Sequence, residues 1–232
     1  MPLQPSKSEN MLWNSRSIGE IQEQGHLEVE TKFEISSGDF DRLQTIGNVR
    51  RCERQLNVYY DAHWKLADSA CTLRIRLASY SSPILALKVP VSKAGEQRVM
   101  REFEVFARDL RLESGASLHP TKIDAERELP DELHQQLARF GVRHLQRVGW
   151  VRNTRLTVEV QGIGAVELDR TKLPDGTIAH EAEIESPDAV VQRKLAVLVR
   201  HCAYDAKPSH VSKFERFRRA TLSLDAMNRS CG

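Results

Sequence analysis

The chain has 232 residues, with 34 Lys and Arg against 32 Asp and Glu, for a formal charge of +2. That balance excludes a protein whose bulk charge recruits nucleic acid or an anionic membrane, and no apolar run approaches the roughly 20 residues that span a bilayer. A length of this order suits one large domain, and barrels commonly use it as a single unit.

Residues 1–25 are rich in Pro, Ser, Asn and Gln and hold no continuous hydrophobic segment followed by a small-residue cleavage site, so they read as a flexible tail. The first predicted strand is His26–Ile35. Side chains alternate across a strand, which puts Glu28, Glu30, Lys32 and Glu34 on one face and Leu27, Val29, Phe33 and Ile35 on the other. Ser37-Gly38-Asp39 predicts the start of a helix bearing Phe40, Leu43 and Ile46, with Gly47 placed to stop it. A second strand is predicted over 55–60, followed by a 61–70 loop that holds Trp64. Strands over 71–78, 84–90 and 99–106 are separated by turn-rich segments, the pattern of an antiparallel meander. Residues 110–124 read as irregular. Pro130-Asp131 opens a helix carrying Leu133, Leu137 and Phe140 before Gly141.

Three more strands are predicted near 146–161, 164–172 and 177–185, the last two joined by the turn Leu173-Pro174-Asp175-Gly176. Ser186-Pro187-Asp188 caps a helix with Val190, Val191, Leu195, Leu198 and Val199 as its apolar stripe. A final helix is expected over 209–225. Cys52, Cys71, Cys202 and Cys231 form neither a Cys-x-x-Cys pair nor a zinc spacing. They read as free thiols in a reducing, cytoplasmic compartment.

The charged face of the first strand recurs. Thr72-Leu73-Arg74-Ile75-Arg76-Leu77 repeats it with arginines, and Val166-Glu167-Leu168-Asp169 and Ala182-Glu183-Ile184-Glu185 repeat it with acids. Near residue 100, Arg98, Met100, Glu102 and Glu104 share one face, and Arg101, Phe103 and Val105 the other. A wet outer surface accounts for one such strand. Several are better accounted for by charged faces that meet in one polar interior, with the apolar faces packed under helices. The basic set is Lys32, Arg74, Arg76, Lys88, Arg155 and Lys213; the acidic set is Glu28, Glu30, Glu102, Glu104, Asp169, Glu183 and Glu185. Buried ions cost several kcal/mol each unless paired or ligated. Arginine and lysine suit phosphate oxygens, and carboxylates suit Mg2+ or Mn2+. Together they point to a metal-bound polyanion with several phosphates, with salt bridges on a solvated sheet as the alternative for any single residue.

Glu28-Val29-Glu30-Thr31-Lys32 resembles the Glu-x-Glu-x-Lys signature of the CYTH, or triphosphate tunnel metalloenzyme, superfamily. Tyr59-Tyr60-Asp61, Leu73-Arg74-Ile75-Arg76, Leu85-Ala86-Leu87-Lys88, Glu102-Phe103-Glu104, Arg155, Leu168-Asp169, Glu183-Ile184-Glu185 and Ser212-Lys213-Phe214 extend the likeness in order, from about His26 to about Arg218. The resemblance implies an α+β fold, an eight-stranded antiparallel β-barrel with helices on its outer face, over residues 26–218, with 219–232 as helix end and tail.

It further implies a phosphate clamp of Lys32, Arg74, Arg76, Lys88, Arg155 and Lys213, and Mg2+ or Mn2+ on Glu28, Glu30, Asp169, Glu183 and Glu185. Lys32 and Arg76 would act catalytically, with Tyr59 assisting proton transfer. Glu181 shares a face with Glu183 and Glu185, which leaves that row's register open by two. Relatives usually carry a basic residue where this chain has Met100, and Arg98 or Arg101 stands in for it.

The implied activity is hydrolysis of a small triphosphate, inorganic triphosphate ahead of thiamine triphosphate, by a monomer or homodimer. A class IV-type adenylate cyclase making cyclic AMP from ATP is the second reading, and a non-catalytic polyphosphate- or nucleotide-binding module the third. No membrane or nucleic-acid partner is expected, since the sequence shows no aromatic stacking platform at a recognisable spacing.

Overall fold

The computed structural model describes residues 25–110 and 120–230. The expected tail, most of the stretch expected to be irregular, and Cys231 lie outside the described residues. The strands are β1 (His26–Ile35), β2 (Asn48–Asp61), β3 (Thr72–Ala78), β4 (Ser81–Ala94), β5 (Gln97–Phe106), β6 (Lys122–Asp124), β7 (His144–Val160), β8 (Gly164–Lys172), β9 (Ile178–Glu185) and β10 (Lys207–Pro208). The helices are α1 (Ser37–Leu43), α2 (Lys65–Asp68), α3 (Ala125–Glu128), α4 (Asp131–Ala138), α5 (Ala189–Cys202) and α6 (Lys213–Ser230). Strands follow the order β1-β5-β4-β3-β2-β7-β8-β9, and β9 pairs back onto β1. The result is a closed antiparallel eight-stranded barrel with β6 and β10 as additions. No helix among the described residues is long and apolar enough to cross a membrane.

The interior is the polar side. Glu28, Glu30 and Lys32 are 6%, 5% and 6% exposed, whereas Leu27 on the opposite face of β1 is 56% exposed. Apolar outer faces are buried under helices. Phe33, Val158, Val166 and Ile184 pack with Phe40 and Leu43 of α1 and Leu195 and Val199 of α5. Leu73, Ile75, Leu85 and Phe103 pack with Leu133 and Leu137 of α4.

Several elements differ from the sequence reading, each for a local reason. β2 begins at Asn48 rather than 55 because it pairs with β7 along its whole length, and that pairing turns the polar run 50–54 into strand. The 61–70 loop contains α2, held by the buried Asp61 carboxylate, which accepts N–H bonds from Leu66 and Ala67 at 3.0 Å each. Part of the stretch expected to be irregular forms β6, and Asp124 caps α3 through Glu126 N–H at 3.2 Å. The last helix starts at Lys213 instead of 209, where the Ser212 hydroxyl accepts the Glu215 N–H at 3.1 Å.

α6 plugs one end of the barrel. Phe214 and Phe217 pack on Tyr59 and Val151, with Tyr59–Phe214 ring centroids 4.8 Å apart. The plug needs a glycine opposite it: Gly149 has φ +148°, and a Cβ there would lie 2.5 Å from the Phe217 ring. Gly149→Ala is therefore expected to lower stability by about 1–3 kcal/mol, the usual range for overpacking. Urea unfolding measures this, and an unchanged midpoint would mean that α6 moves aside freely.

Candidate functional site

The barrel encloses a cavity of about 290 Å³. Backbone register brings its charges together in pairs: Lys32 stands opposite Glu183 and Glu30 opposite Glu185 across β1 and β9, and Lys88 stands opposite Glu102 across β4 and β5. Of the residues singled out from sequence, Glu30, Lys32, Tyr59, Arg74, Arg76, Lys88, Glu102, Glu104, Arg155, Glu183, Glu185 and Lys213 all line this cavity. Glu28 lies in the wall, in ion contact with Lys88. Of the two arginines near Met100, Arg98 lines the cavity, 3.7 Å from Glu30, and Arg101 is exposed.

A buried ion cluster forms the floor. Arg155 grips Asp169 with Nε at 3.0 Å and Nη2 at 2.6 Å, and also contacts Glu167 and Glu183. Lys213 reaches down from α6 to Asp169 at 2.9 Å and Glu181 at 3.3 Å, and touches Glu183. Lys32 lies 2.9 Å from Glu183. Burial alone would push the Glu183 carboxyl up, but Lys213, Lys32 and Arg155 hold it well below the ordinary range. Burial would likewise lower the Lys32 ammonium, and Glu183 and Glu30 raise it instead. Asp169 and Glu181 are both fully buried and lie outside the cavity lining. Asp169 therefore stands behind the clamp, and Glu183 and Glu185 are the members of the β9 row that face inward.

Charge is left over on two sides. Glu28, Glu30 and Glu185 bring carboxylate oxygens within 4.8 Å of one another, and so do Glu167, Glu183 and Glu185. Glu28 Oε1 has no hydrogen-bond partner among the described residues. Desolvation, then Glu28 and Glu167, push the Glu185 carboxyl up to about 8, although its side chain still reaches solvent at the mouth. Crowded acids with an unused inward oxygen fit a hard divalent cation. Elsewhere Arg74 Nε and the Tyr59 hydroxyl are buried without partners among the described residues. Burial, then Arg74 and Arg155, lower the Arg76 guanidinium to about 10. Those donors fit an anion. Burial keeps the Tyr59 phenol neutral by raising its pKa.

Glu167 is the acid that sequence reasoning missed. Its alternation with Asp169 signals an inward side chain, but the motif match drew attention to Asp169 alone.

Residues 26–217 match the model of the family described as the CYTH domain. No curated protein matches the chain in sequence. Among solved structures, HpAC1 from Hippeastrum, an adenylyl cyclase candidate described as having a dominant triphosphatase activity, is 24% identical with TM-score 0.65, covering 83% of this chain and 95% of its own. An adenylate cyclase candidate from Bacillus halodurans is 19% identical with TM-score 0.61, covering 82% and 96%. PH1819 from Pyrococcus horikoshii OT3 is 18% identical with TM-score 0.52, covering 83% and 98%.

Two kinds of acid follow from the geometry, and stability separates them. Asp169→Ala takes the two-pronged partner from Arg155 and one partner from Lys213, which keep Glu167, Glu181 and Glu183 between them, and is expected to cost about 3 kcal/mol, the low end of the usual loss when a buried pair is broken. Glu185 behaves oppositely. Its folded pKa of about 8 lies above the ordinary 4.5, so its contribution is full below pH 4.5 and is lost as pH rises through 8. Thermal melts of chelator-treated Glu185→Gln should therefore lose less stability over that interval than the parent protein, and a parallel decline would contradict the assignment.

Proposed function

The chain belongs to the CYTH domain family, and on that premise we propose that it hydrolyses a small triphosphate, inorganic triphosphate ahead of thiamine triphosphate, with Mg2+ or Mn2+. The observation that carries this reading is the meeting, in one barrel cavity, of the Arg74 Nε and Tyr59 hydroxyl donors, both without partners among the described residues, with crowded, underused carboxylates. A polyanion alone satisfies the first set and a cation alone the second. A metal–triphosphate complex satisfies both. The cavity of about 290 Å³ lies just below the roughly 300–1,000 Å³ usual for small-molecule sites, which favours a bare phosphate chain over an enclosed nucleotide.

In this reading Arg74, Arg76, Lys88 and Arg155 hold phosphoryl oxygens, arginines by their forked donors and lysine as a point charge. Lys32, anchored on Glu183, offsets charge that develops on the phosphoryl group and the leaving pyrophosphate. Tyr59 donates its hydroxyl proton as a hydrogen bond, and its raised pKa keeps that proton in place. Glu28, Glu30 and Glu185, or Glu167, Glu183 and Glu185, would hold the divalent ion, which offsets phosphate charge and acidifies water. Asp169, outside the cavity lining, positions Arg155 rather than meeting ligand, and Lys213, which lines the cavity, completes the clamp from α6. The Tyr59–Phe214–Phe217 plug closes the α6 end, so substrate enters from the opposite mouth and bulk water is limited inside.

The test is product analysis of purified protein with Mg2+ or Mn2+ and, in parallel, inorganic triphosphate, thiamine triphosphate and ATP. Phosphate release from inorganic triphosphate, abolished by chelator and reduced about 10²–10³-fold in a folded Arg74→Ala variant, is the expected result. Cyclic AMP and pyrophosphate from ATP would replace hydrolysis with cyclisation. Full activity of Arg74→Ala would overturn the clamp.

A further inference from the structure

One part of the barrel exterior carries a group of exposed basic side chains. On β2, β7 and β8 the outward side chains fall into rows by register: Arg54, Thr154 and Arg170 in one, Leu56, Arg152 and Lys172 in the next, with Trp150 beside Val58 beyond them. Arg54, Arg152, Arg170 and Lys172 are all exposed, and none has an ion-pair partner among the described residues. Arg152 and Lys172 stand directly opposite each other, about 5 Å apart at Cβ, an arrangement that costs stability when unsatisfied. Trp150 is 51% exposed, with the Arg152 guanidinium 5.1 Å from its ring. It lines two grooves of about 410 and 460 Å³, and no carboxylate of the described residues lines either of them.

Like charges opposed across a sheet, a half-exposed large aromatic and grooves free of acid have no balancing carboxylate among the described residues. A flexible polyanion with planar faces relieves all three. We propose that this outer face of β2, β7 and β8 binds single-stranded nucleic acid, with phosphates on Arg54, Arg170 and Lys172 and a base stacked on Trp150 beside Arg152. Basic tracks with an aromatic platform bind single strands in this way with little sequence preference. An acidic peptide satisfies the cations but makes no use of the tryptophan ring between its grooves. The surface goes beyond the tunnel activity, lies on the other side of the barrel wall and departs from the expectation that nucleic acid is not a partner.

Fluorescence anisotropy of the full chain with a short labelled RNA bearing a 5′-hydroxyl end, in excess inorganic triphosphate to occupy the tunnel, tests the proposal. Salt-dependent binding is expected. Arg170→Ala with Lys172→Ala should lower the log–log salt slope by about 1.4, at about 0.7 per lost contact on a single strand. Trp150→Ala should weaken binding about tenfold with the slope unchanged. Thermal melts establish that each variant is folded. Absence of binding at low salt, binding indifferent to these substitutions, or equal affinity for a polyglutamate peptide with no effect of Trp150→Ala would each overturn it.

Discussion

The structure depends on a cluster of buried ions that ties separate parts of the chain to one point. Arg155 of β7, Asp169 of β8, Glu183 of β9, Lys32 of β1 and Lys213 of α6 meet within direct contact. Each ion alone costs several kcal/mol to bury, and only mutual pairing offsets that. Five elements are therefore held in register by a charge balance, and the barrel closes where that balance is met. Apolar packing chooses the inward face of each strand but tolerates a shift by two residues. The ion cluster does not.

Every ion on the floor has an opposite charge beside it, whereas above the floor like charges crowd together. Glu183, surrounded by cations, is held ionised, whereas Glu185 two residues later sits among acids at the solvent-reached mouth and is pushed towards neutrality. Arg155 is held charged by its carboxylates, while Arg76 is buried beside Arg74 and Arg155 and lowered to about 10. The two imbalances have opposite signs and share one cavity. Perturbed groups of that kind mark sites where the missing partner is a ligand.

Strand alternation is enough to make the barrel interior legible in the sequence. Glu28, Glu30 and Lys32 on one side and Phe33 and Ile35 on the other determine which face of β1 turns inward, because a one-residue slip would expose every apolar side chain. Period alone does not distinguish a carboxylate at the cavity from one behind it. Asp169 and Glu167 lie two apart on one face, and only the reach of Arg155 and Lys213 decides which is consumed in the floor. Residues 48–54 carry no strand signal because their pairing energy comes from β7, a long way off along the chain. The basic outer rows are equally invisible, since Arg54, Arg152, Arg170 and Lys172 are neighbours only through register.

Two charge imbalances of opposite sign in one tunnel call for one composite ligand. Thermal unfolding of the protein with Mg2+ alone, inorganic triphosphate alone and both together tests it most directly. The joint shift in melting temperature is expected to exceed the sum of the separate shifts, because each ligand relieves the repulsion left on the other's side. Shifts that simply add, or a triphosphate shift that Mg2+ leaves unchanged, would contradict it.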